Sequence, residues 1–218
     1  YIQNEDNEKI IMIQNKALEL SLFLSIPAAV ALLIASEEII SALFGYGSFD
    51  EEGVKNSAKA LFYFALGLPA FSLIKVFSSF FFARHNTKLP FYISLVSVFL
   101  NILISVSFFN KLGFIIIPIA TSISSWFNCI LLFIFLKKDN FFSSNLVFIF
   151  KFLKILFSSV IMSIIIYYLL FYFKTNLSFN ESFKSVFLLG IVIAGLVSYL
   201  LIAYFIKAFK ISDINLKY

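Results

Sequence analysis

Cysteine, histidine and charge are all scarce in this chain of 218 residues, and each shortage closes off a class of chemistry. The one cysteine, Cys129, has no partner in the chain for a disulfide or a thiolate metal site, so a small packing role is expected. The one histidine, His85, stands between Arg84 and Asn86 with no cluster of acids or cysteines around it, so a metal centre or a catalytic triad lacks its material. No glycine-rich phosphate loop is present. Asp50, Glu51 and Glu52 resemble paired catalytic carboxylates, but acids where a helix begins favour its dipole, and capping is the expected role. The chain is read as a non-enzyme without metal or cofactor.

Charged residues make up 13% of the chain, where a soluble domain carries about 25%. Against that, 61% of the residues are hydrophobic and 31 are Phe, more apolar surface than a soluble core can hide. A membrane-spanning barrel would alternate polar and apolar residues in short segments, and no such alternation is visible. Six long apolar runs bracketed by charges remain: Ala17–Phe44, Ser57–Ala83, Leu89–Phe109, Phe114–Leu136, Leu153–Phe173 and Phe183–Ile206. A helix crosses a bilayer core with about 20 such residues, so the expected fold is an all-α polytopic transmembrane bundle of six spans.

The net charge of +5 is explained by membrane topology rather than by nucleic acid. Lys9, Lys16, Arg84, Lys88, Lys137, Lys138, Lys151, Lys154, Lys207, Lys210 and Lys217 fall on one side, against Lys55, Lys59, Lys111, Lys174 and Lys184 on the other. The positive-inside rule then puts both termini in the cytoplasm. Residues Tyr1–Glu8 carry three acids and no basic segment, unlike a signal peptide, and the chain lacks an initiator Met. A piece of something longer, or a product whose beginning is missing, is expected. Residues 137–152 read as a cytoplasmic loop in which lysines mix with Phe141, Phe142, Phe148 and Phe150, a composition suited to anionic membrane lipids.

Within the spans, polar residues and helix breakers carry the information. Lys75 lies in an apolar run, a costly position for an ammonium, and shares a helical stripe with Ser72 and Ser79 that is expected to face the bundle interior. Two readings stand open: contact with an anionic headgroup, or a structural role in which the lysine pairs with a buried acid or snorkels toward an interface. Ser94, Ser97, Asn101 and Ser105 form a second stripe, and Thr121, Ser124, Ser125 and Asn128 a third. They fit either interhelical hydrogen bonding or a cavity lining, and they lack the carboxylate a sodium site usually adds. Gly67 and Pro69 mark a kink, static or hinging. Pro27 invites the same pair of readings, whereas Pro90 opens a helix. Gly190, Ala194 and Ser198 form a small-residue face expected to pack on a neighbour.

Leu43-Phe44-Gly45-Tyr46-Gly47-Ser48-Phe49, then Tyr63 to Phe71 around Gly67 and Pro69, then Lys75-Val76, then Phe82-Ala83-Arg84 with Thr87, Lys88 and Pro90, resemble the MurJ/MviN lipid II flippase family. Asn101, Ala120-Thr121-Ser122 and Trp126-Phe127-Asn128 extend the resemblance to about residue 140. Tyr46 stands where the family usually has Arg, and Asn86 where Asp is common. The resemblance implies residues 1–136 as four helices of a second transporter lobe, and residues 153–218 as two additional transmembrane helices with a cytoplasmic tail. It implies flipping of an undecaprenyl-linked peptidoglycan precursor across the bacterial cytoplasmic membrane by alternating access. Expected partners are that precursor, membrane lipids and a missing N-terminal lobe, with no nucleic acid. The implied cavity residues are Lys75, Ser72, Ser79, Asn101 and Thr121; Gly67 and Pro69 form a hinge; Gly47, Phe49, Arg84, Thr87, Lys88 and Pro90 form loop motifs. Other exporters of the same superfamily, an intramembrane enzyme and a noncatalytic assembly protein are the competing readings.

Overall fold

The computed structural model describes residues 2–139, 142 and 146–208, with side chains from residue 10 onward except at 146. Phe141, Lys210, Lys217 and the Lys9 side chain lie outside the described residues. Seven α-helices follow in order: α1 (Ile2–Ile34), α2 (Ser36–Phe44), α3 (Glu51–Phe82), α4 (Lys88–Leu112), α5 (Ile116–Lys138), α6 (Leu146–Tyr172) and α7 (Lys184–Phe205). Among the described residues there is no strand, as expected where lipid offers no partner for an unpaired backbone group. Five apolar stretches have the length to cross a membrane, and one of them, Lys88–Lys138, is folded back on itself. Gly113, at φ 60° and ψ −146°, makes that reversal in a backbone region closed to residues with a Cβ. Asn101 then meets Thr121 and Asn128 meets Ser94, the pairing of an antiparallel hairpin. Six helices of spanning length result among the described residues.

The first apolar run is not one helix: the chain bends at buried Ala35, and its end becomes the short helix α2. Glu37 and Glu38 account for the change, because they occupy the first turn of α2, where free N–H groups favour carboxylates. Asp50 caps α3 as expected, accepting from the Gly53 N–H at 2.8 Å. Helix α6 begins at Leu146, inside the segment read as a loop.

Two apolar cores organise the bundle. Leu18 of α1 joins Ala70, Phe77 and Phe81 of α3 and Leu132 and Leu136 of α5 in one; Phe81, Leu132 and Leu136 are fully buried. Leu22, Phe23 and Ile26 of α1 join Met162 and Ile166 of α6 and Leu188, Ile191 and Tyr199 of α7 in the other. Helix α1 is therefore the shared wall between the α3–α5 group and the α6–α7 pair. Pro27 withdraws the helical donor from the Phe23 carbonyl, and the Tyr199 hydroxyl supplies one at 2.8 Å. The small-residue face does not do what was expected of it. Gly190 has open space around it and Ala194 is exposed, whereas a Cβ on Gly195, one position beyond Ala194, would meet Ile166 at 2.8 Å. The contact between α6 and α7 uses Gly195 because that residue, not Gly190, lies on the face α7 turns inward.

Candidate functional site

Lys75 stands on a face of α3 that the described helices leave exposed, and Ser79 is exposed with it. Ser72 turns the other way: it is half-buried and shares a 2.6 Å hydrogen bond with the Ser21 hydroxyl of α1. The expected interior stripe is thus divided, with Ser72 joining helices inside the bundle and Lys75 left outside it. No acid among the described residues stands within ion-pair distance of Lys75. The Lys75 charge therefore avoids desolvation within this chain and is available to something beyond it.

Between α4 and α5 the structure brings the second and third stripes together. The Asn101 amide donates to Thr121 Oγ1 at 3.1 Å and to Ser124 Oγ at 3.2 Å. Two turns along the seam, Asn128 donates to Ser94 Oγ at 3.4 Å. Buried Ser105 Oγ and Asn128 Oδ1 have no hydrogen-bond partner among the described residues. The seam is a zipper with unused oxygens.

Gly67 is a point of close approach. A Cβ there would lie 2.8 Å from Ser122 Oγ of α5 and from the Phe71 ring. Around the Pro69 interruption, α5 donates twice to α3 carbonyls, Ser122 Oγ to Tyr63 and Trp126 Nε1 to Leu66, the latter at 2.9 Å. Pro69, Trp126 and Leu18 also line an apolar cavity of about 640 Å³ walled by α1, α3, α5 and α6.

The loop motifs act locally. Gly47 supplies a positive φ of 62° in the turn after α2, and Phe49 packs on a small cluster of Ile40, Val54 and Ala58. Arg84 Nη1 donates to the Phe80 carbonyl at 2.9 Å, closing the end of α3, and Asn86 Oδ1 accepts from the Leu89 N–H as α4 starts. Thr87 and Lys88 flank that start, with Pro90 buried two residues on.

Sequence reasoning missed two charged anchors. Lys184, counted above among the charges of one membrane side, is 1% exposed. Its ammonium donates to the Gly45 and Phe179 carbonyls at 2.7 Å each and sits 4.4 Å from the Tyr46 ring centroid and 4.7 Å from that of Phe179. It thereby ties the turn after α2 to the start of α7, alongside a 2.6 Å Tyr46–Ser185 hydroxyl contact. Lys151 pairs with Glu19 at 2.6 Å across α6 and α1, so it does not face lipid as expected. Glu19 was the available signal, an acid inside the first apolar run. Phe142 also turns inward, 7% exposed against Phe133, while Phe150 stays exposed.

Helices of spanning length, apolar outer faces, polar seams between helices and a basic side chain exposed within an apolar stretch together define a polytopic α-helical membrane protein. The sequence profile described as "Lipid II flippase MurJ" matches residues 1–188, beyond the reach of the motifs and through α6. The chain belongs to the lipid II flippase MurJ family. It is 31% identical over 205 residues to "Probable lipid II flippase MurJ" of Rhizobium meliloti (strain 1021), covering 93% of this chain and 38% of that protein. It is 34% identical over 194 residues to the Thermotoga maritima protein of the same description, covering 89% of this chain and 37% of that one. A solved structure, "Lipid II flippase MurJ, inward closed conformation", superposes with a TM-score of 0.76 at 28% identity, covering 93% of this chain and 40% of the other. The chain spans about two fifths of the length of these relatives.

Proposed function

We propose that this chain forms part of a lipid II flippase, moving a lipid-linked peptidoglycan precursor across the bacterial cytoplasmic membrane by alternating access. The observation that carries the reading is the exposed ammonium of Lys75 on the α3 face, without an ion pair among the described residues, in a chain whose fold superposes on a lipid II flippase. A cation within the apolar stretch of a membrane helix suits an anionic headgroup such as a diphosphate. The apolar cavity beside Pro69 suits a polyisoprenoid chain. In this reading Asn101 and Thr121 line the seam behind the headgroup, Gly67 and Pro69 flex α3, and a further polypeptide segment, equivalent to the rest of the relatives, completes the cavity. A chimera in which residues 10–208 replace the matching part of the Thermotoga maritima relative is expected to sustain precursor export in cells depleted of their own flippase. A chimera that inserts at normal abundance and exports nothing overturns the proposal.

Both termini are placed in the cytoplasm, on the charge asymmetry between loops. In intact cells, with Cys129 replaced by Ser, Asp139→Cys is expected to resist a membrane-impermeant thiol reagent and Asn180→Cys to react. Both positions are exposed at opposite ends of the bundle. Labelling in the reverse pattern inverts the topology.

A further inference from the structure

At the end of the bundle where α2 and α3 begin and α6 finishes lies a polar pocket of about 300 Å³. Glu37, Glu38 and Ser41 of α2 line it with Glu51 of α3, and Lys174 and Ser178 stand on the α6 side. Glu51 is drawn to Lys55, 3.2 Å away, whereas neither Glu37 nor Glu38 has an ion-pair partner among the described residues. Burial raises the Glu38 carboxyl above its ordinary value, and neighbouring Glu37 adds to the effect. Independently of the acids, Ser41 is 6% exposed and its hydroxyl has no hydrogen-bond partner among the described residues, although it borders this pocket. A buried hydroxyl without a partner is costly, so the site is built for a donor or acceptor from outside the chain.

The chemistry of the walls narrows the ligand. No three acid, histidine or cysteine side chains among the described residues gather closely enough to hold a metal ion. A primary ammonium fits better, because its three N–H donors spread over separated oxygens. Lys174, lining the same pocket, calls for an anion on the same molecule. The nearby α6 end carries exposed Tyr168 and Tyr172, residues that collect at the lipid headgroup level. We propose that the pocket seats the headgroup of a phosphatidylethanolamine-type membrane lipid, with its ammonium on Glu37, Glu38 and Ser41 and its phosphate on Lys174. The site is separate from the Lys75 face and does not depend on the transport reading. A trimethylammonium headgroup has no N–H donor and is excluded by the same chemistry.

The test is native mass spectrometry of the purified, delipidated full chain, offered equimolar phosphatidylethanolamine, phosphatidylcholine and phosphatidylglycerol with matched acyl chains. Retention of phosphatidylethanolamine about tenfold above either competitor is expected, the scale of one charge-assisted hydrogen bond. Glu38→Gln and Ser41→Ala should each erase most of that preference. Glu37→Gln, at an exposed position where folding is not in question, should weaken it. Glu52→Gln, also exposed but outside the pocket, should leave it unchanged. Equal retention of the phosphatidylethanolamine and phosphatidylcholine lipids, or an undiminished preference in Glu37→Gln, overturns the proposal. Free O-phosphoethanolamine competing as well as the intact lipid overturns the membrane source.

Discussion

Lys75→Leu is expected to lower precursor export at least about tenfold, the scale of a lost charge-assisted contact, while the protein remains at normal abundance in the membrane. Abundance is preserved because Lys75 is exposed on α3 and holds no ion pair among the described residues, so its removal orphans nothing in this chain. Charge is the variable under test. Lys75→Arg should retain part of the activity, with the charge kept and the donor geometry changed, and Lys75→Gln should lose most of it. If Lys75 instead pairs with an acid on a segment outside this chain, the neutral variants should lose abundance and recover when that acid is neutralised. A fully active, abundant Lys75→Leu protein contradicts both accounts.

Gly67→Leu is expected to give the largest loss of stability. A Cβ at this position already falls within 2.8 Å of Ser122 Oγ, and the remaining leucine atoms have nowhere to go between α3 and α5. Overpacking of a tight core costs about 1–3 kcal/mol, so thermal unfolding in detergent should shift clearly downward, with Gly67→Ala intermediate. Gly190→Leu, with nothing within 4 Å, is the matched control and should unfold as the parent does. A Gly67→Leu protein as stable as that control contradicts the close approach. Pro69→Ala separates packing from movement: a hinge requires lower export at unchanged stability, and a static kink leaves export unaltered.

Much of the fold was legible because a bilayer imposes a length and a composition on anything that crosses it. The ends of α3 and the starts of α4 and α5 lie within a few residues of where charge and proline place them. Asp50 capping α3 was readable for the same local reason. The bend at Ala35 was less visible, since hydropathy averages across it; Glu37 and Glu38 were the sign that the apolar run had ended.

The sequence alone settled that this chain spans a membrane as helices, roughly where each helix lies, and, through motif spacing, which family it belongs to. These follow from local rules: lipid forces backbone groups to pair within a helix, and composition states which segments meet lipid. The tertiary structure alone decided which polar residues meet. Ser72 and Lys75 are three residues apart, yet one bonds to α1 and the other faces outward. Lys151 finds Glu19 across 132 positions, and Lys184 finds the Gly45 carbonyl across 139. Gly195 rather than Gly190 receives Ile166. In every case the outcome depends on the rotation of one helix about its axis relative to another. Hydropathy is nearly uniform around helices as apolar as these, so it carries no information about that angle, which is set by side-chain packing and interhelical hydrogen bonds.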